Sequence, residues 1–481
     1  MKTSQKQQKT ENIHGHDLTT GSIPRHLIAF TVPMLAGSIL QTAYSFINAI
    51  WVGKFLGKAD LAAVTVSFPV VFVLMAMAGG LTLATNILIS QYFGAKNHAQ
   101  MRKVVQSSTA LIGGLSILLF IIGEIFAPAI LRAMDTPPDV LVLATSYMRV
   151  FLISLPFAFG VFLVSSMLRG IGDSTTPLYF QTASVLVSAI LDPLLMFGLL
   201  GLPRMGLNGT AWSSVITQAA AVVAVFWYMQ RKRSPVTPDW RHLHADWETS
   251  WHTMKIGIPS AIQQSLVSVG MVFVIGMVNG FGANATAAFG AASRLDQLAI
   301  MPAQTFGMAV STLSGQNIGA RKLARVGQTF RWGALFSAGV TLIPSLLALL
   351  VPHGLLRIFT NDPTVIRVGA EYLRTIGFAY IFFAISFVGN GVINGAGHTF
   401  ITTIISLVSL WFFRVPLAYY LSKRLHSVQG IWDAMAISFA VSMVASLIYY
   451  FSGHWRKHKV IVQQLPPADP TGIVGDETGE A

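Results

Sequence analysis

The sequence predicts an all-α polytopic membrane protein: twelve transmembrane helices in two six-helix lobes related by a parallel internal repeat. Three observations carry this. The chain is 53% hydrophobic and only 11% charged, far from the roughly 25% charged of a soluble domain. Its charges sit in short clusters between apolar stretches, each long enough to cross about 30 Å of hydrocarbon as ~20 helical residues. Finally, residues 24–173 read again, without a gap, in residues 249–398.

The expected spans are 27–52, 61–90, 105–131, 140–168, 178–200 and 209–229, then 256–281, 285–316, 328–352, 364–392, 401–422 and 431–452. Six spans per half is an even number, so both halves enter the membrane with the same orientation and the repeat axis runs along the membrane normal. The repeat is legible in loop punctuation at one constant offset. Gly57 answers to Gly282, Gln91 to Gln316, Gly94-Ala95-Lys96 to Gly319-Ala320-Arg321, Pro138 to Pro363, Tyr147 to Tyr372 and Gly170-x-Gly172 to Gly395-x-Gly397. Residues 1–23 and 456–481 read as disordered tails, since they are polar and poor in aromatics. Residues 24–229 form the N-lobe, 230–255 a linker with Arg231-Lys232-Arg233, Pro235 and Pro238, and 256–455 the C-lobe.

The net charge of +13 is a topology signal rather than a nucleic-acid footprint. With the N-terminus inside, 20 Lys and Arg fall on the inner side and 8 on the outer, so the positive-inside rule puts both termini in the cytoplasm of a multi-pass inner (plasma) membrane protein. No cysteine is present, which removes disulfides, thiolate metal sites and thiol redox chemistry. Gly53-Lys-Phe-Leu-Gly57-Lys58 fails the Walker A spacing, so ATP is not the direct energy source. The expected cofactor list is empty. No histidine or carboxylate cluster suggests an enzyme, and no ring of repeated pore residues suggests a channel.

An ionisable group in hydrocarbon costs at least a few kcal/mol and is a functional candidate. Asp192 is the main one. It lies in the outer half of span 5, and Pro193 beside it removes a backbone donor. Its repeat partner falls near Val415-Pro416, so the carboxylate belongs to one lobe only. Asn48, Tyr147 and Thr210 are expected at a similar level. The alternative is a carboxylate locked to Arg149. Glu371 and Arg374, one turn apart, read as a local ion pair. Arg294 and Asp296 in span 8 need partners on other helices, Arg414 being one, and read as a buried polar network of the C-lobe. The 18 Met and 31 Phe can line a repacking cavity, although most are expected to face lipid or pack helices.

Several motifs are similar to those of the multidrug and toxic compound extrusion (MATE) family: Leu61-Ala-Ala63, Gln91-x-x-Gly94-Ala95-Lys96, Arg169-Gly170-x-Gly172-Asp173 with Pro177, Leu191-Asp192-Pro193, Arg294-x-Asp296, Gly315-Gln316-Asn317 and Asn394-Gly395-x-Gly397. The resemblance covers roughly residues 24–455. It implies two six-helix lobes around a central cleft, exporting cationic or amphiphilic compounds in exchange for protons or sodium. Asp192-Pro193 resembles the DinF-like branch, in which the N-lobe cavity carries the coupling carboxylates. By that resemblance Asp192, Asn48 and Ser188 are the ion-coupling residues, Tyr147, Thr210 and Gln41 line the cavity, and Pro33 is where span 1 bends. The chain departs from the branch at two positions, with Asn48 where a second aspartate is usual and Ser188 where an asparagine is usual. It also lacks the cavity carboxylates that the NorM-like branch carries in spans 7 and 10.

The expected function is a secondary antiporter, monomeric and embedded in lipid, that exports amphiphilic, cationic small molecules. A dedicated metabolite exporter or lipid-linked flippase is the alternative. Sodium at Asp192 is considered, but one carboxylate among neutral neighbours suits a proton better.

Overall fold

The computed structural model describes residues 15–134 and 136–456; the remaining parts of the expected tails lie outside them. The helices are α1 (Ile23–Trp51), α2 (Lys58–Gly94), α3 (His98–Ala133), α4 (Pro138–Gly170), α5 (Thr175–Phe197) and α6 (Leu207–Arg231) in the N-lobe. The C-lobe has α7 (Trp247–Asn279), α8 (Ala283–Gly319), α9 (Leu323–Leu350), the short α10 (Pro352–Arg357), α11 (Pro363–Gly395), α12 (Thr399–Leu407), α13 (Val415–Leu425) and α14 (Gln429–Ser452). A π-helical stretch, Val52–Leu56, prolongs α1, and another, Val408–Arg414, joins α12 to α13 into one span. Among the described residues, eleven helical segments are long and apolar enough to cross a membrane. The twelfth expected span is α8, which has the length, 37 residues, but not the apolarity.

The repeat holds in three dimensions. α2 and α8 both run for 37 residues, and α4 and α11 both run for 33. The left-handed turns recur too: Lys96 at φ 57° and Arg321 at 59°, Gly172 at 87° and Gly397 at 86°. α1 packs on α5 of its own lobe and on α8 and α9 of the other, while α7 packs on α12 and on α2 and α3 of the other. The symmetry breaks at α9, where Val351-Pro352 interrupts what is one continuous helix in α3.

Several helices begin earlier than hydropathy alone predicts, because caps rather than lipid set their starts. Asn97 accepts from the Gln100 N–H at 3.1 Å and opens α3. Asp246 accepts from the Thr249 N–H at 2.9 Å and opens α7. Such caps satisfy backbone donors that a helix start leaves unpaired. The linker is correspondingly shorter than expected, and it is docked: Val236 is buried and the Asp246 N–H donates to Ser107 Oγ at 3.1 Å.

The lobes meet on the side where both termini leave. There α2 and α8 cross so closely that a Cβ on Gly94 would lie 2.0 Å from the Gln316 carbonyl oxygen, and one on Gly319 would lie 1.9 Å from that of Gln91. Small residues let membrane helices approach in this way. Two symmetry-related bonds tie the crossing. Gln91 Nε2 donates to the Gly395 carbonyl at 2.7 Å, and Gln316 Nε2 donates to the Gly170 carbonyl at 3.0 Å. Asn86 adds a third cross-lobe link, accepting from Thr312 at 3.1 Å.

Residues 15–22 correct the expectation of a disordered tail up to residue 23. The His16 N–H donates to the Ile171 carbonyl of the N-lobe at 2.9 Å. The Leu18 N–H donates to Gln316 Oε1 at 3.0 Å, Lys322 Nζ to the Thr19 carbonyl at 2.9 Å and Arg325 to the Gly21 carbonyl at 3.0 Å. Leu18 is buried with Leu27 and Phe30 of α1 against Phe306, Ala309 and Leu313 of α8. The segment is thus a strap across both lobes. Composition missed it because most of the strap's anchors lie about 300 positions away in the sequence.

Candidate functional site

α5 carries the carboxylate. Pro193 has no N–H, so the Ala189 carbonyl loses its helical donor one turn below. The helix ends at Gly198, at φ 72°. A short loop then returns into α6, which crosses α5 closely: a Cβ on Gly209 would lie 2.7 Å from the Leu195 carbonyl carbon. This crossing brings Ser213 of α6 beside Asp192. Both residues are buried.

α1 closes the other side. It is seamed to α5 by Gln181 Nε2, which donates to the Gly37 carbonyl at 3.2 Å. Near its C-terminal end the Tyr44 hydroxyl donates to Asp192 Oδ2 at 2.9 Å. Asn48, one turn on, directs its amide to the same oxygen and to the Tyr44 hydroxyl, both at 3.4 Å. These are long, weak contacts. Asp192 Oδ1 and the Ser213 hydroxyl are both buried and neither meets hydrogen-bond geometry with any partner. The carboxylate therefore has one oxygen held by α1 and one left over, beside a hydroxyl that is left over too.

The expected site residues assemble in part. Asn48 contacts Asp192, Ser188 is buried beside the Tyr44 hydroxyl, and Tyr147 lies within electrostatic range of Asp192 without a direct bond. Thr210 does not join, since its hydroxyl donates to the Leu207 carbonyl of its own helix at 2.9 Å. Gln41 is exposed, without a side-chain contact to the carboxylate among the described residues. Pro33 lies inside an uninterrupted α1. Tyr44 and Ser213 were missed. Both were legible as helical neighbours, Tyr44 four residues before Asn48 and Ser213 three after Thr210.

Arg149 does not lock Asp192. Its Nε lies 3.7 Å from Glu124 Oε2, and its side chain is half exposed, where such a pair contributes little. The expected Glu371–Arg374 pair does not form among the described residues. No group of three or more metal-ligating side chains occurs there either.

In the C-lobe, both Asp296 oxygens are taken. Tyr372 donates to Oδ2 and Tyr380 to Oδ1, each at 2.5 Å. Tyr372 stands edge-on to Trp432, which stacks on Phe289. Arg414 makes no bond to Asp296: its Nε donates to Ser438 Oγ at 2.7 Å, and it lies within electrostatic range of Tyr372. Arg294 is exposed. The expected three-residue buried network is therefore corrected: Asp296 binds tyrosines, Arg414 binds α14, and Arg294 points elsewhere, because residues two apart on a helix face different ways.

The repeat geometry matches a known family. The family model described as MatE matches residues 33–194 and again residues 259–420, one stretch in each lobe. The chain belongs to the MatE family. Among relatives of this MatE protein is the Bacillus subtilis (strain 168) protein named "Probable multidrug resistance protein YoeA", 31% identical over 444 residues, spanning 91% of this chain and 96% of that one. "Probable multidrug resistance protein YpnP" of the same organism is 31% identical over 450 residues, spanning 93% and 99%. The fold superposes on the crystal structure of MATE in the straight conformation with a TM-score of 0.85 at 21% identity, covering 91% of this chain and 98% of that one. It also superposes on an outward-facing conformation of a multidrug resistance MATE family transporter with a TM-score of 0.84 at 22% identity, covering 92% and 98%. As a MatE family member this chain is a transporter and not an enzyme.

Proposed function

We propose that this transporter exports amphiphilic small molecules, cations among them, as a monomer that exchanges them for protons by alternating access, with Asp192 as the proton site. The relatives' names support efflux of drugs. One observation carries the proton reading: the buried Asp192 Oδ1 lies beside the buried Ser213 hydroxyl of α6, and neither has another partner among the described residues. A hydroxyl can donate to a carboxylate or accept from a carboxylic acid, so Ser213 serves either state at the cost of a rotation. Sodium suits the same place poorly. The other oxygen, Oδ2, is approached by the hydrogens of Tyr44 and Asn48, which repel a cation there.

The same bonds supply the coupling. While Asp192 is ionised, the charge-assisted bond from Tyr44 draws α1 to α5, and such bonds are roughly twice as strong as neutral ones. Protonation weakens it and frees the outer end of α1. With the terminus side taken as cytoplasmic, the Gln91 and Gln316 crossing is the inner gate, and Asp192 communicates with the outside while that gate is shut.

The test is dye export from sodium-free vesicles under an imposed pH gradient. Export that follows the gradient supports the reading. Export that ignores pH and appears only with an inward sodium gradient overturns it.

A further inference from the structure

A guanidinium inside a membrane span normally pairs with a carboxylate, because a lone charge there costs at least a few kcal/mol. Arg414, half-buried in its span, does not. The ion pair found among the described residues is Arg149–Glu124, and the nearby Asp296 has both oxygens occupied by tyrosines. Arg414 uses Nε on Ser438, and its guanidinium lies 4.6 Å from the Phe439 ring centroid. Its two terminal nitrogens donate to no described residue, yet neither is sealed from solvent. They open beside an aromatic wall: Phe439 packs edge-on to Phe383 at 5.2 Å, and Phe383 lies 4.5 Å from Phe387.

The backbone singles out the same residue. Arg414 closes the π-helical stretch Val408–Arg414, a distortion frequent at functional sites, and it precedes Pro416 by two residues. The equivalent span of the N-lobe carries Asp192-Pro193. Corresponding spans thus hold a buried acid in one lobe and an unpaired base in the other. A planar fork of free donors next to a cluster of edge-on and tilted rings suits a planar carboxylate on an aromatic framework.

We propose that Arg414 with the Phe439–Phe383–Phe387 wall is a C-lobe subsite for the carboxylate of an aromatic amphiphile. The transporter then accepts zwitterions as well as simple cations. The inference rests on the export reading above and adds the charge of the substrate to it.

Rhodamine 110 bears a free carboxylate, and rhodamine 123 is its methyl ester. Binding of each to the purified full-length protein is read by fluorescence polarisation. Arg414→Gln is expected to weaken rhodamine 110 about tenfold or more, the scale of a lost hydrogen bond to a charged group, and to leave rhodamine 123 within about twofold. Arg414→Lys, which keeps the charge but not the fork, should fall between. Phe439→Leu should weaken both dyes. If Arg414→Gln does not fold, the lysine variant carries the test through the same acid-against-ester split. Equal losses of both dyes, or no loss of either, overturn the inference alone. Wild-type protein that binds neither dye overturns it together with the export reading.

Discussion

Gly319→Ala tests whether the α2–α8 crossing is the gate. The added Cβ would stand 1.9 Å from the Gln91 carbonyl oxygen, 2.8 Å from its carbon and 3.0 Å from the Ala95 nitrogen. Atoms pack comfortably at about 3.5 Å or more, and here the obstacle is backbone, which cannot rotate aside. The helices must part by roughly 1.5 Å, and overpacking of this kind costs about 1–3 kcal/mol. The penalty falls on the arrangement with the lobes in contact. The closed-to-open equilibrium should therefore shift about 5- to 150-fold toward opening. The chain has no cysteine, so a single Ser314→Cys reports cleanly. Ser314 is fully buried against Gly395, the residue whose carbonyl Gln91 holds across the lobes, and its hydroxyl has no partner, so the replacement is mild. Its labelling by an impermeant maleimide from the terminus side should accelerate by that factor in the Gly319→Ala background. Gly94→Ala, whose Cβ would stand 2.0 Å from the Gln316 oxygen, should do the same. Unchanged labelling in a protein that remains folded would refute the idea that the lobes separate here.

The other predictions concern the ties around that gate and site. Gln316→Leu removes both the bond to the Gly170 carbonyl and the acceptor for the Leu18 N–H; hydrogen exchange at residues 16–21 should quicken several-fold, and unchanged protection would show that the strap holds by packing alone. Asp17 lies outside the spans. Burial pushes its carboxyl up, but the bonds from the Thr19 hydroxyl and N–H and the charges of Lys322 and Lys96 outweigh this and hold it below its ordinary value. A group with a depressed folded pKa stabilises above its unfolded value and loses that contribution as pH falls through the folded one. Strap protection should therefore be flat from pH 8 to 5 and decline only below about pH 4; a decline near pH 6 would contradict the assignment. Ser213→Ala leaves Oδ1 without a hydroxyl in either state and should slow pH-driven export about tenfold while dye binding is kept, whereas unaltered export would remove Ser213 from the proton site.

Much of this architecture was legible in the residues. The constant spacing of Gly57, Gln91, Gly94 and Gly170 to their counterparts anticipated the lobes, and the counterparts Gln91 and Gln316 turn out to tie them together. Hydropathy located apolar segments but not helix starts, because Asn97 and Asp246 cap first turns that lie several residues before the apolar runs. The strap was invisible, since a polar stretch such as residues 15–22 is ordered only by partners distant in sequence. At the site, depth and residue type pointed to Asp192 and Asn48. Thr210 makes no bond to that carboxylate, because a threonine in a helix can satisfy itself on its own backbone. The same two signals left Arg294 grouped with Asp296 because proximity in sequence is not a shared face.

In the proposed cycle Asp192 gives up a proton when substrate is loaded. The direct measurement is the pH of a lightly buffered, sodium-free solution of purified protein as a cationic dye is added to saturation. Wild-type protein should release protons, up to one per dye bound, and Asp192→Asn should bind the dye with no release. Dye binding without proton release in the wild type, or equal release from the asparagine variant, would contradict the claim.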